Sequence, residues 1–273
     1  MSQVWFITGS SRGLGREFAT AALERGDHVA ATARDAEALA DLVARFGDAV
    51  LPLSLDVSDR DSVGSVVARA REHFGRLDVV VNNAGYGLFG AVEEVTEELV
   101  RDQFETNVFG ALWVTQAVLP ILREQGSGHI IQVSSVGGVL VVPYTGIYNA
   151  SKWALEAFSE ALHHEVAPFG VSVTLIEPGA FATEWGTSSK VIAPQMPAYD
   201  SLRVARAARS AAMNVGDPGA AGQALLSIVD APNPPLRVLF GTDALAWVRD
   251  TYPKRLAEWA DWEHVAVAAQ GAP

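Results

Sequence analysis

Tyr148 and Lys152 stand four residues apart, just beyond the apolar run GGVLVVPYTG. On a helix, such residues share a face and come within reach of each other. A phenol has an unperturbed pKa of about 10, and a neighbouring ammonium favours its ionised form. The pair therefore has the chemistry of a proton donor and acceptor, with Lys152 expected to lower the pKa of Tyr148. Spacing alone also fits an exposed helix pair beside a core tyrosine. Tyr144 precedes that helix and reads as a pocket wall or a packing residue. A second stretch, TGSSRGLG from Thr8 to Gly15, can bind a phosphate. Gly9 suits a tight turn, Gly13 lets a helix N-terminus approach a pyrophosphate, and Gly15 allows close packing of helix on sheet. Its spacing differs from GxGxxG, and a structural strand-to-helix turn would use similar letters.

Both stretches need a scaffold that presents them on one edge. Seven β-rich runs, 4–8, 28–33, 50–55, 77–82, 129–134, 171–177 and 236–240, alternate with helical patterns near 13–25, 36–46, 59–73, 97–124, 148–167 and 218–230. Continuous apolar strands suit a parallel sheet covered on both faces. The expected fold is α/β: a single Rossmann-like, doubly wound domain with a seven-stranded parallel sheet. In such folds ligands lie beyond the carboxyl ends of the strands. Residues 1–183 are expected to form the cofactor-binding and catalytic core. The weakly periodic stretch 184–217, with APQMPAY inside it, is expected to be a loop-rich substrate lid, and 218–273 a helix-strand-helix extension.

Five motifs in register resemble the classical short-chain dehydrogenase/reductase family over residues 3–183. They are Thr8, Gly9, Gly13 and Gly15; Asn82, Asn83, Ala84 and Gly85; Asn107; Ser135, thirteen positions before Tyr148, with Lys152; and Pro178 and Gly179 with Thr183. The resemblance implies hydride transfer between a nicotinamide and a carbonyl carbon. It makes Tyr148 the proton donor, Ser135 the group orienting the carbonyl oxygen, and Lys152 the holder of the nicotinamide ribose. Asn107 would hold a water leading to solvent. Ser134 would finish its strand. Cofactor contacts are implied for Ser11, Arg12, Leu14, Asp56 and Val57 as well as for the motif residues.

Cofactor choice turns on the end of the second strand, ATARD. NAD enzymes place an acid there; here Ala33 holds that position and Arg34 follows. Arg34 and Arg12 make a plausible 2′-phosphate clamp, so NADP(H) is expected in preference to NAD(H). Asp35 and Asp59 read as helix caps. Phe89, Val141, Tyr144, Trp185, Met196 and Tyr199 are expected around the substrate, which suits a hydrophobic ketone, aldehyde or alcohol. Arg203, Arg206 and Arg209 read as a solvated helix face, with an acid-substrate clamp as the alternative. Trp259 and Trp262 are expected to pack on the domain or a neighbouring subunit.

Composition narrows the partners. Twenty Lys and Arg against 32 Asp and Glu give a net charge of -12, which disfavours nucleic acid and anionic lipid. With no cysteine, disulfides and thiolate chemistry are excluded, and a cytoplasmic location is expected. No run approaches membrane-spanning length, and no His/Asp/Glu spacing suggests a metal. Relatives of the family commonly form homodimers or homotetramers. A nicotinamide-sensing regulator and an epimerase or dehydratase remain as alternative functions; the intact Ser, Tyr and Lys set argues against the first, and the glycine spacing against the second.

Overall fold

The computed structural model describes residues 2–186 and 189–271. Its main sheet is built from β1 (Val4–Ile7), β2 (His28–Ala33), β3 (Val50–Ser54), β4 (Val79–Asn82), β6 (Gly128–Val133), β7 (Val171–Pro178) and β9 (Arg237–Phe240). All neighbours pair in parallel, in the order β3-β2-β1-β4-β6-β7-β9. The strand order reverses between β1 and β4, the crevice where doubly wound sheets take their ligands. A separate two-stranded ladder joins β5 (Leu88–Phe89) to β8 (Val191–Ile192).

Alternation along the strands explains the three layers. Trp5, Ile7, Val29 and Ala31 point to one face, where α1 (Gly13–Glu24) and α8 (Pro218–Val229) supply Phe18, Ala22, Leu225 and Ile228. Val4, Phe6 and Ala30 point to the other, against Val63 and Val67 of α3 (Arg60–Phe74), Val114 and Val118 of α5 (Ala111–Gln125), and Leu162 of α6 (Gly146–Val166). Both faces are thus dry, and each fully buried side chain of this size contributes about 1.5–3 kcal/mol over an exposed one. Asp59 caps α3 through the N–H groups of Asp61 and Ser62, and Asp35 caps the 3₁₀ turn Ala36–Leu39, which leads into α2 (Ala40–Phe46).

Three regions differ from the sequence expectation. The helix expected over 97–124 is interrupted: α4 (Glu97–Phe104) passes through a π-helical turn, Glu105–Gly110, before α5. The supposedly loop-rich lid contains α7 (Asp200–Ala211), which buries no residue completely and is polar on average. Its alanines and arginines are good helix formers, and the prolines that argued against a helix end at Pro197. Finally, α9 (Thr242–Asp261) and α10 (Glu263–Gln270) leave Trp259 and Trp262 exposed at 65% and 63%, so neither packs on the domain. No helix among the described residues is long and apolar enough to cross a membrane.

Candidate active site

The loop after β1 is fixed from both sides. Gly9 and Gly13 adopt φ of +67° and +58°, the left-handed region that glycine enters freely. A Cβ on Gly15 would stand 2.2 Å from the Asn83 amide nitrogen and 2.4 Å from the Gly9 carbonyl oxygen. Asn83 and Ala84, expected to meet a cofactor, brace this loop. The Asn83 side chain donates to the carbonyls of Thr8 (2.9 Å) and Gly9 (3.0 Å), and the Thr8 hydroxyl accepts from the N–H groups of Asn83 and Ala84 at 2.9 and 3.0 Å. Leu14 packs on the core.

The brace leaves the start of α1 open. Arg12 occupies the cap position without a capping side-chain bond, and no acid lies in the first turn. The first N–H groups and the positive end of the helix dipole are therefore available to an anion. Ser11, Arg12, Gly13, Arg16 and Thr183 line one cavity there. Arg12 and Arg34 are exposed and make no ion pair among the described residues, whereas Arg16, overlooked in the sequence, pairs with Asp41. Asp35 is exposed and accepts from the Glu37 N–H at 3.0 Å through one carboxylate oxygen. Asp56 is exposed and accepts from the N–H and hydroxyl of Ser58, while Val57 is buried under Gly110. These features fit the pyrophosphate and phosphate groups of a dinucleotide.

Farther along the same edge lie Tyr148, Lys152, Ser135 and Asn107, at the ends of different elements. Tyr148 and Lys152 are buried on α6 at 6% and 5% exposure. The Lys152 Nζ donates to the Val133 carbonyl at 2.8 Å. Burial pushes the Tyr148 phenol up to about 12, against the opposing hydrogen bond of Ser135, and pushes the Lys152 ammonium down to about 8, against the charge of Glu156. The expectation is that Lys152 lowers the pKa of Tyr148; in the protein alone, burial sets the direction of both shifts. The Ser135 hydroxyl accepts from the Gly137 N–H at 3.0 Å and faces the Pro178 carbonyl at 3.5 Å. Ser134 extends the strand through its N–H to the Ile176 carbonyl, as expected.

Asn107 sits in the π-helical turn and is buried. Its amide grips the backbone of Tyr86, donating to the carbonyl and accepting from the N–H, both at 3.1 Å, and also donates to the Ser151 hydroxyl at 3.2 Å. Gly85 follows Asn83 and Ala84 between this grip and Lys152: a Cβ on it would meet the Asn107 Oδ1 at 3.0 Å and the Lys152 Nζ at 3.7 Å. Gly179 continues the β7 edge by donating its N–H to the Phe240 carbonyl at 2.9 Å.

Of the residues expected around a substrate, three converge. The Trp185 ring lies 5.1 Å from the Tyr148 ring and 5.6 Å from that of Phe89. Tyr144 is buried with φ of +72°, unusual for a non-glycine residue, and its carbonyl accepts from Gly90 at 3.0 Å. Val141, at 61% exposure, lies at the surface. Met196 and Tyr199 are held elsewhere, the Met196 N–H by Glu94 at 2.7 Å and the Tyr199 hydroxyl by Glu93 at 2.5 Å.

Of the arginines of α7, Arg203 and Arg206 are partly buried, whereas Arg209 is exposed. Arg203 donates to the Glu94 carboxylate at 2.7 Å and pairs with Asp200, and the Glu94 side chain is fully buried. The Met196 N–H, followed by the Ala91 N–H and Arg203, holds the Glu94 carboxyl below the usual range. Arg206 lies 4.3 Å from the Phe89 ring centroid and 5.9 Å from that of Tyr144, and Arg209 lies 5.1 Å from that of Trp247. Spacing of three was the sequence signal for these residues; which way they point follows from where α7 lands. Among the described residues no cluster of His, Asp and Glu could hold a metal.

Comparison with known proteins gives one consistent picture. Residues 3–191 match the family described as short chain dehydrogenase. The chain is 42% identical to the oxidoreductase BOA17 of Botryotinia fuckeliana, over 98% of this chain and all of that one. A short-chain dehydrogenase from Streptomyces avermitilis superposes with a TM-score of 0.93 at 41% identity, covering 98% of both chains. An alcohol dehydrogenase of Thermococcus sibiricus complexed with 5-hydroxy-NADP aligns at TM-score 0.74 and 29% identity, over 88% of this chain and 96% of that one. A Burkholderia phymatum short-chain dehydrogenase/reductase in complex with NAD aligns at 0.79 and 27%, over 91% and 92%.

Proposed function

Because the chain belongs to the short-chain dehydrogenase family, we propose that it is an NADP(H)-dependent oxidoreductase interconverting a hydrophobic ketone or aldehyde and its alcohol. The observation that carries this reading is the buried Tyr148 phenol, bordered by the Trp185 ring, on the sheet edge that also holds the open start of α1.

When bound, the nicotinamide supplies or accepts the hydride. Burial keeps Tyr148 protonated, so in reduction it enters as the acid and gives its proton to the carbonyl oxygen as negative charge develops there. The Ser135 hydroxyl donates to the same oxygen and fixes its position. Lys152, one helical turn along α6, holds the nicotinamide ribose hydroxyls and favours the phenolate left behind. The Asn107 amide nitrogen is committed to Tyr86 and Ser151, while its Oδ1 accepts one bond from Tyr86 and keeps an acceptor site for the water that would link Lys152 to solvent. The residues Ser11 to Gly15 would hold the pyrophosphate, Asp56 and Val57 the adenine, and Asn83 to Gly85 with Pro178, Gly179 and Thr183 the nicotinamide half. Residues 184–217 serve as the substrate lid. Phe109 and Trp153, exposed at 37% and 38%, offer apolar surface for assembly as a homodimer or homotetramer.

Ala33, Arg34 and Arg12 support NADP(H) over NAD(H): Ala33 stands where NAD enzymes carry an acid, and Arg12 and Arg34 are exposed and make no ion pair among the described residues. The test is NADPH consumption across hydrophobic ketones and aldehydes, with titration calorimetry of both cofactors. Turnover is expected with NADPH bound at least about tenfold tighter than NADH, equivalent to about 1.4 kcal/mol. Equal or reversed affinities overturn the cofactor assignment; no turnover of any carbonyl overturns the activity.

A further inference from the structure

Arg206 is the point at which α7 meets the aromatic residues of the site. Arg203 fixes that helix by placing its guanidinium on the buried Glu94 carboxylate, on Asp200 and on the Met196 carbonyl at 2.7 Å. Residues three apart on a helix share a face, so Arg206 is turned to the same side. Its guanidinium covers the Phe89 ring and reaches the Tyr144 ring, Phe89 meets Trp185, and Trp185 meets Tyr148. A continuous chain of ring contacts thus runs from the proton donor to a cation, with Phe89 buried inside it.

That cation has no acid of its own. Arg206 is partly buried, and it makes no ion pair among the described residues of a chain that carries 32 acidic side chains. Glu94 and Asp200 are paired with Arg203, and Glu93 accepts from the Tyr199 hydroxyl. Burial works against the charge of Arg206, and aromatic rings compensate only part of a lost hydration shell. A planar guanidinium in such a place matches a carboxylate bidentately.

We propose that Arg206 receives the anionic end of the substrate, so that the preferred carbonyl compound carries a carboxylate separated from the reacting carbonyl by an apolar segment lying along Trp185. This deepens the carbonyl-reductase reading and rests on it. The nearest structural alternative is that Arg206 only packs α7 onto Phe89, and the two differ in what a substrate's charge does.

The experiment compares phenyl ketones bearing a terminal carboxylate two to six carbons from the carbonyl with their methyl esters, in the native protein and in Arg206→Met and Arg206→Gln. Initial rates of NADPH consumption give kcat and KM, and calorimetry of 5-phenylpentanoate against its amide gives binding without turnover. The native protein is expected to prefer at least one acid over its ester by about tenfold or more, mainly in KM, and to bind the carboxylate more tightly than the amide. Both variants should lose that preference and that difference. Turnover of the esters with no acid preference, or a preference that survives in both variants, overturns the proposal while leaving the carbonyl-reductase reading intact. Turnover of neither acids nor esters overturns both.

Discussion

The two ends of the ligand crevice are built by different means. At the β1 end, backbone geometry does the shaping: positive φ at Gly9 and Gly13, a Gly15 with no room for a Cβ, and an asparagine amide clamped on two carbonyls one strand away. At the α7 end, side-chain charge does it: a buried carboxylate holds Arg203 and the Met196 N–H, and aromatic rings face Arg206. Backbone cradles recognise what every dinucleotide shares, while side-chain arrangements change with single substitutions. The difference predicts that cofactor handling and substrate choice respond to separate sets of mutations.

The largest expected effect lies where the two ends meet. Tyr148→Phe keeps the ring against Trp185 and removes only the proton, so turnover should fall by about a hundredfold or more while NADPH affinity measured by calorimetry stays nearly constant. A variant that retains most of its rate would show that another acid serves. Next, Trp185→Ala opens the wall between Phe89 and Tyr148. Catalytic efficiency on bulky ketones should drop by about tenfold or more and the ranking of substrates should change, with NADPH binding little altered. An unchanged ranking would move specificity to the loops at 85–90 and 139–144.

From the cofactor side, Arg34→Ala should weaken NADPH binding by about tenfold and leave NADH binding as it was, with substrate ranking unaffected. Parallel losses for both cofactors would mean that Arg34 does not meet the 2′-phosphate. The smallest effect concerns stability. Glu177 is buried beside Glu156, and burial, with the charge of Glu156 adding to it and that of Arg237 opposing, pushes its carboxyl up to about 8. Its folded-state pKa lies above the usual 4.5, so its contribution is present in full below about pH 4.5 and is lost as pH rises towards 8. Glu177→Gln should flatten the fall in Tm over that window, by about 2–4 °C for each kcal/mol involved. An identical pH profile in the variant would place the proton elsewhere.

The same contrast explains what the sequence revealed. Strand runs, the glycine loop and the Tyr148–Lys152 spacing depend on near neighbours, and all form as their patterns imply. Glu94 and Arg203 are 109 residues apart, and nothing in either segment announces the pair. The helix at 200–211 is polar on average and buries no residue, so it resembles a loop in composition, and Arg206 and Arg209 look solvated because the rings they face lie on other elements. The direction of the Tyr148 pKa was missed for a related reason: spacing reports the neighbouring lysine, whereas depth of burial belongs to the assembled fold. The π-helical turn at Asn107 has no local signature, because it adds a residue without breaking the apolar pattern on either side.

The chain between Phe181 and Gly216 leaves the fold and returns to it at the same place. Ala182 donates its N–H to the Gly216 carbonyl at 3.0 Å, and Gly216 donates back to that of Ala180 at 2.9 Å. A segment closed at its base in this way is an interchangeable cartridge: lengthening it costs only about 0.6 kcal/mol per doubling in closure entropy. The β5–β8 ladder and the Glu94 carboxylate are among its docking points on the rest of the molecule, with the Tyr199–Glu93 and Asn214–Asp243 bonds. Grafting a foreign sequence between these two ends, with an arginine kept for Glu94, is therefore a route to new substrates that leaves the parallel sheet and its phosphate-binding loop untouched.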